Sequence, residues 1–378
     1  MFNSIKKNVV IIGAGYSGIS LVEKISNNKN LEVTLINKNL YHLHQTDIHK
    51  YISGQCELED ISFNLEIYCM NKKINFIEAF VEDIEFKTKR VILNNNKNLK
   101  YDYLVIATGS KSFFPNQIKN IQEYKADIKE IDILKEQRTK FLDLLNSKKK
   151  EKNIAIVGGG LSGVEIALEF ASVIRKRALT KEDCQISLIE QFPDVLPNMD
   201  SFLVNQARKA CDKLNIKRYH GTFVNEVKEN VIYLSDSNEI PFDMVLFLIG
   251  VSSEKLSNDE SAQINIKNQF LVDEYLRLLN HEDVFVMGDV AETKGKNGNY
   301  VLPTAQVAKL HANIVAQNLL NSIEGNLLIK NKSQTKGVMV DLADKNTVGI
   351  ILGIKVKGFI AYFLKRYVSK NHKKIFNY

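Results

Sequence analysis

Two stretches of the chain share one pattern of apolar and polar positions. From Val9 the sequence reads VVIIGAGYSGISLVEKI, and from Ile154 it reads IAIVGGGLSGVEIALEF. Each begins with an apolar run of strand length, crosses a glycine turn, and continues with apolar residues at helical spacing. A second pair echoes this one. Tyr101–Ser110 reads YDYLVIATGS and Phe242–Val251 reads FDMVLFLIGV. Each passes from an aromatic residue through Asp into an apolar strand that reaches a glycine, Gly109 in one and Gly250 in the other. The pattern predicts an α/β chain in which one strand–turn–helix architecture occurs twice.

The turns themselves carry chemistry. The first is Gly13-x-Gly15-x-x-Gly18. Its first glycine permits a tight turn, its second lets backbone approach a pyrophosphate, and its third lets helix pack closely on strand. The helix start then offers N–H groups and a positive dipole end to phosphate. The motif gains weight because it follows an apolar strand and opens a helix. The next predicted strand, Leu31–Ile36, leads to Asn37, where a ribose-binding acid is usual. Asn keeps the hydrogen-bonding capacity and lacks the charge.

The second turn is Gly158-x-Gly160-x-x-Gly163, and its following strand, Ile186–Ile189, leads to Glu190. A carboxylate there accepts from both ribose hydroxyls and repels a 2′-phosphate. Gln191, Phe192 and Pro193 offer no cation to hold such a phosphate, so the expected ligand is NADH rather than NADPH. Two nucleotide sites in one chain suit one tightly held redox carrier and one exchanging donor. Further on, Val284–Val290 reads VFVMGDV. Asp289 fits two readings equally, a contact to a sugar-like hydroxyl chain or a helix N-cap.

Composition narrows the partners. The 378 residues are 44% hydrophobic and 25% charged, with formal net charge +7, which suits an anionic partner. Lys148–Lys152 is read as a solvated loop; it lacks the basic–aromatic alternation of a nucleic-acid patch, and no nucleic acid is expected. Cys56, Cys69, Cys184 and Cys211 form no C-x-x-C pair and read as reduced thiols. Val9–Ile12 runs straight into a turn and is no signal core, and no stretch approaches a membrane span. No Cys, Asp or Glu near His42, His44 and His49 completes a convincing site, so no metal is expected.

The tail is distinct. In VKGFIAYFLKRYVSK, Phe359, Ile360, Phe363, Tyr367 and Val368 fall on one helical face. Lys357, Lys365, Arg366, Lys370, Lys373 and Lys374 decorate the rest, and no acid follows Asp344. Such a helix suits an anionic membrane interface or the protein's own core; the one-sign charge favours the membrane. Burial of its apolar face would also suit a homodimer.

Together these pieces resemble the two-dinucleotide-binding-domain flavoproteins, and within them the type II, single-subunit NADH:quinone oxidoreductases, which pump no protons. Local matches are Tyr41-His42-Leu43-His44-Gln45, the GGGLSGVE of Gly158–Glu165, the PTAQVA of Pro303–Ala308, and the GFIAY of Gly358–Tyr362. The resemblance implies two Rossmann-like domains, one nested in the other. The FAD-binding domain spans 1–112 and 265–330, the NADH-binding domain 113–264, and a membrane-associating segment 331–378.

It implies FAD at the first turn, with Thr108 and Gly109 at the strand end that returns the chain to the second domain. It places Gly288 and Asp289 on the ribityl-phosphate arm. Ala305 and Gln306 lie near flavin and quinone, and NADH sits at the second turn with Gly250. Glu165 points to the flavin–nicotinamide junction, as proton relay or nicotinamide positioner; a plain helix-start acid on the dipole is the alternative. Glu169, one turn on, extends that path or is simply exposed.

The resemblance also implies a peripheral protein on the cytoplasmic side of the cell membrane. The chain departs from the family at Leu310, where a second Gln is usual, and in having no Trp. The cysteines argue against two relatives: Cys56 is alone where disulfide reductases need a pair, and no cysteine after Cys211 serves a sulfide:quinone reductase. Two rival expectations stand, a soluble NADH-dependent reductase of a protein electron carrier and a flavin-binding interaction protein with little turnover.

Overall fold

Strand β1 (Lys7–Ile12) leads through the first glycine turn into helix α1 (Tyr16–Ile25), strand β2 (Leu31–Asn37), short strand β3 (Tyr41–Leu43) and strand β4 (Asn75–Glu78). Strand β5 (Tyr103–Ile106) follows, then the two-residue strand β6 (Lys111–Ser112). The second copy begins with β7 (Lys152–Val157) and α2 (Leu161–Lys176), followed by β8 (Cys184–Glu190), β9 (Lys217–His220) and β10 (Met244–Phe247). The chain then crosses back through β11 (Val251–Ser252) to β12 (Val284–Val286) and helix α3 (Ala305–Glu324). This architecture comes from a computed structural model that describes residues 6–376 except 296, 297, 299 and 302.

Two sheets result. The first has the order β12-β5-β1-β2-β4 and the second β9-β8-β7-β10. Every pairing in both is parallel. Their inner strands are largely apolar runs because both faces are covered, whereas the edge strands β4 and β9 are mixed and part exposed. β6 and β11 pair as an antiparallel ribbon where the chain passes between the sheets.

The two copies agree down to single hydrogen bonds. Gly13 N donates to Ile36 O and Gly158 N to Ile189 O, each at 2.8 Å. The repeated Asp also has one job in both copies. Asp102 accepts from Asn8 N at 2.8 Å, and Asp243 from Asn153 N at 2.9 Å, fixing the start of the β1–β5 and β7–β10 pairs.

The tail is a three-stranded antiparallel sheet, β13 (Gly337–Asp341), β14 (Thr347–Ile351) and β15 (Ile354–Lys357), followed by helix α4 (Gly358–Lys373). Here the charge argument from the sequence fails for three residues. Lys365, Arg366 and Lys373 turn inward and pair with Glu165, Asp341 and Asp47. A desolvated cation needs such partners; Glu165 and Asp47 come from the body of the protein and Asp341 from β13 of the tail itself. Phe359, Ile360, Phe363, Tyr367 and Val368 point outward instead, each between 53% and 70% exposed. The helix does not bury its apolar face against the core of its own chain. No helix among the described residues is long and apolar enough to cross a membrane.

Candidate active site

The β1–α1 turn opens onto a cleft of about 960 Å³, part of it open solvent, lined among others by Gly13, Gly15, Asn37, Thr108, Gly109 and Lys129. Gly13 has φ +104°, and a Cβ there would stand 2.5 Å from Ala107 O. A Cβ on Gly18 would meet Gly13 O at 1.9 Å, whereas one on Gly15 meets nothing within 4 Å. The outer glycines are therefore steric necessities, and the middle one leaves open ground over the helix start. Helix α1 has no side-chain cap and no acid in its first turn. Thr108 Oγ1 is buried without a hydrogen-bond partner among the described residues, an orphan that a bound polar ligand would satisfy. These features fit the diphosphate and sugar of a dinucleotide.

Asn37 holds the turn itself. Its Oδ1 accepts from Ala14 N at 3.0 Å and its Nδ2 donates to Asn39 O at 2.8 Å. Asp289 lies inside a 3-10 turn, Gly288–Val290, whose N-cap position is Met287, so the capping alternative is overturned. Its carboxylate accepts instead from Ser110 Oγ at 2.8 Å. Lys129, a residue the sequence did not single out, donates to the same hydroxyl at 2.7 Å and to Ser110 O at 3.0 Å. Burial lowers the Lys129 pKa, and Asp289 and Asp127 oppose that shift. Gly288, at φ +76°, donates its N–H to the buried His311 Nδ1 at 3.2 Å.

The second turn repeats the geometry. Gly158 has φ +113°, with a Cβ position 2.3 Å from Leu248 O; Gly163 has 1.8 Å to Gly158 O; Gly160 is open. Glu190 is buried, and its Oε2 accepts from Gly159 N at 2.6 Å while its Oε1 accepts from Phe192 N at 2.9 Å. Each carboxylate oxygen keeps a further acceptor site for a sugar hydroxyl. Gly250, exposed at φ +134°, accepts at its carbonyl from Phe113 N at 3.0 Å and begins the return crossing.

Glu165 and Gln306 stand on different helices and share no hydrogen-bond partner among the described residues. Ala305 opens α3, whose N-cap Thr304 accepts from Val307 N at 3.2 Å. Gln306 Oε1 accepts from Lys336 N at 2.7 Å. Glu165 Oε1 accepts from Asp341 N at 2.9 Å and from Lys365 Nζ at 2.6 Å, and its Oε2 lies 3.8 Å from His49 Nδ1. Glu169 is not exposed: it is buried and accepts from Gln55 Nε2. Burial pushes its carboxyl pKa up, with His49 and Gln55 working against that.

Around Glu165 lies a charge network that joins distant segments of the sequence. Arg366 donates to Asp47 at 2.6 Å and to Asp341 at 2.7 Å. His49 Nε2 lies 3.0 Å from Asp341 Oδ2. Burial alone would raise both carboxyls, but their cationic partners prevail and hold Asp47 and Asp341 well below the usual carboxylate range. One signal for these residues was available, an Asp closing the apolar run Val338–Val340. The four cysteines are free thiols, and burial raises Cys56 and Cys69 to about 12. None is poised as a thiolate.

Comparison with known proteins agrees with this geometry. The sequence profile of the pyridine nucleotide-disulphide oxidoreductase family matches residues 7–312. A Staphylococcus saprophyticus protein named type II NADH:quinone oxidoreductase is 27% identical over 384 residues, 96% of this chain and 94% of that protein. Its Staphylococcus haemolyticus namesake is 28% identical with the same coverage. Among solved structures, Plasmodium falciparum NDH2 in complex with NADH has TM-score 0.85 at 20% identity, covering 96% of this chain and 94% of that one. The sulfide:quinone oxidoreductase of Aquifex aeolicus has TM-score 0.84 at 20% identity, covering 98% and 92%. These two structural likenesses bear on the fold.

Proposed function

The chain belongs to the pyridine nucleotide-disulphide oxidoreductase family, and from that premise we propose that it is an FAD-dependent, single-subunit NADH:quinone oxidoreductase that pumps no protons. The observation that carries the reading is the duplicated turn. Two open glycine cradles occur in one chain, and only the second is followed by a strand-end carboxylate, Glu190.

FAD is assigned to the first cradle, held by Gly13, Gly15, Gly18, Asn37, Thr108, Gly109, Gly288, Asp289, Ala305 and Gln306. NADH is assigned to the second, at Gly158, Gly160, Gly163, Glu190 and Gly250. The domains proposed are 1–112 with 265–330 for FAD, 113–264 for NADH, and 331–378 for the membrane. When bound, FAD supplies the redox chemistry, accepting a hydride from NADH and passing two electrons to the quinone. The residues of the chain orient the partners and manage charge and protons.

Asn37 and Glu190 each pin the turn beside them, so both cradles are preorganised. The carboxylate at Glu190 favours a free 2′-hydroxyl over a 2′-phosphate. Quinone reduction consumes two protons, and Glu165 is assigned to pass one. Lys365 and Asp341 N occupy its Oε1, which leaves Oε2 as the proton-carrying atom with His49 as the next group, 3.8 Å away. The outward apolar face of α4, with exposed Leu352 and Ile354 beside it, is assigned to the bilayer interface on the cytoplasmic side, where NADH is available.

The test is a steady-state assay of FAD-loaded protein with NADH and a short-chain quinone. The reading requires turnover with quinone and a strong preference for NADH over NADPH. Activity confined to a protein acceptor supports the soluble-reductase rival, and negligible turnover with every acceptor supports the interaction-protein rival.

A further inference from the structure

We propose that His42, His44 and His372 bind one late first-row transition-metal ion, with Zn²⁺ as the test case, and that this ion clasps α4 to the first dinucleotide-binding unit. The sequence offered only two of these imidazoles. Along β3 and the residue after it, side chains alternate: Tyr41 and Leu43 line the dinucleotide cleft, while His42 and His44 lie on the opposite face. The last turn of α4 brings His372 onto that face from 330 residues away. All three rings are buried, each no more than 2% exposed.

The donor geometry suits an ion. One ring nitrogen from each histidine lies within 4.8 Å of the others. His42 Nδ1 donates to Ala14 O at 2.7 Å, which fixes the tautomer and presents the Nε2 lone pair to the cluster. His42 Nε2 stands 3.1 Å from His372 Nε2, close to the ligand–ligand edge of about 3.3 Å in a tetrahedral site with ordinary Zn–N bonds.

His44 adds Nε2, 2.9 Å from Ser369 Oγ and Thr46 Oγ1, and Nδ1, 3.2 Å from Tyr16 Oη. Three neutral imidazoles favour zinc, copper or nickel over calcium or magnesium.

The surrounding charges are compatible with a dication. Asp47 Oδ2 lies 3.4 Å from His44 Nε2 and supplies a nearby negative charge. Lys309 and Lys373 also face the cluster, and Lys373 is neutralised by Asp47 at 2.9 Å. The other acid–imidazole group, His49, Glu165 and Asp341, already holds Lys365 and Arg366 as its cations.

The experiment uses tag-free full-length protein stripped with a chelator. ZnCl₂ is titrated by calorimetry, and CoCl₂ by visible spectroscopy for the d–d bands of a tetrahedral site. The expected result is one ion per chain, with binding weakened roughly tenfold or more in His44→Ala and in His372→Ala. His281→Ala, on the distant surface beside Ser261, keeps full binding. Circular dichroism verifies that each variant is folded, and His372→Gln replaces any alanine variant that is not. No saturable binding to the stripped protein, or binding that the folded His44 and His372 variants retain unchanged, overturns the proposal.

Discussion

Lys365 Nζ donates to Glu165 Oε1 at 2.6 Å, joining the helix near the chain's end to the helix that follows the second glycine turn. Both side chains are almost out of solvent, at 12% and 13% exposed. Burying two charges costs more than their attraction returns unless further partners join them. Asp341 is that partner: its N–H reaches Glu165, and its carboxylate lies 3.1 Å from Lys365. The tail is thus bolted to the nucleotide-binding body by charge, which frees its apolar face for another surface.

Removing one member of that pair strands the other. Glu165→Ala should lower stability by about 3 kcal/mol, the low end for breaking a buried pair, because Asp341 still compensates Lys365. The double variant Glu165→Ala/Lys365→Met should recover most of that loss. Denaturant unfolding of the single and double variants measures the difference; a double variant as unstable as the sum of the singles contradicts the account.

His311 makes a pH prediction. Burial lowers its pKa from 6.5 to about 4 while its Nδ1 accepts from Gly288 N. The folded protein therefore binds this proton less readily than the unfolded chain. The stability contributed is complete above pH 6.5 and is lost as pH falls from there towards 4. The thermal midpoint of His311→Gln, whose side-chain oxygen can still accept from Gly288, should fall less steeply over that window. Parallel curves for the two proteins would remove His311 from the acid response.

Glu190 sets the pyridine nucleotide. Glu190→Ala removes the acceptors of Gly159 N and Phe192 N and the charge offered to the ribose. The expected outcome is a KM for NADH raised roughly tenfold, as for losing one charge-assisted hydrogen bond, with weaker rejection of NADPH. Unchanged steady-state constants for both nucleotides would take Glu190 out of the site.

Much of this was legible in the chain because local rules govern it. Gly13, Gly18, Gly158 and Gly163 occupy positions where a Cβ would strike backbone, so their identities announce the turns. Asp102 and Asp243 were visible as an echo, and their common hydrogen bond explains it. What escaped was long-range. Lys365 and Glu165 are 200 residues apart and His372 and His42 are 330, and no periodicity links them. The tail's basic residues read as a membrane-facing cationic face because the buried acids that claim Lys365, Arg366 and Lys373 lie outside α4, at Asp47, Glu165 and Asp341. Asp289 could not be assigned until the 3-10 turn showed where its backbone begins.

Membrane binding should follow the apolar face rather than the charge. Phe359→Asp/Phe363→Asp should weaken binding to vesicles on the order of 100-fold, as expected for two aromatic side chains kept out of the bilayer, and should spare NADH oxidation by a soluble dye. Because Lys365, Arg366 and Lys373 are paired internally, added salt should weaken wild-type binding only slightly. Steep salt sensitivity in a vesicle co-sedimentation assay would restore the charge-driven reading.

The central claim is that one chain carries an electron pair from NADH to a quinone through a flavin held at the Gly13 turn. Anaerobic mixing of FAD-loaded protein with one equivalent of NADH, followed by a short-chain quinone, tests it directly. The account predicts that the yellow flavin absorption bleaches at least as fast as steady-state turnover and returns fully when quinone is added. A flavin that stays oxidised in NADH, or bleaches and is not restored by quinone, contradicts it.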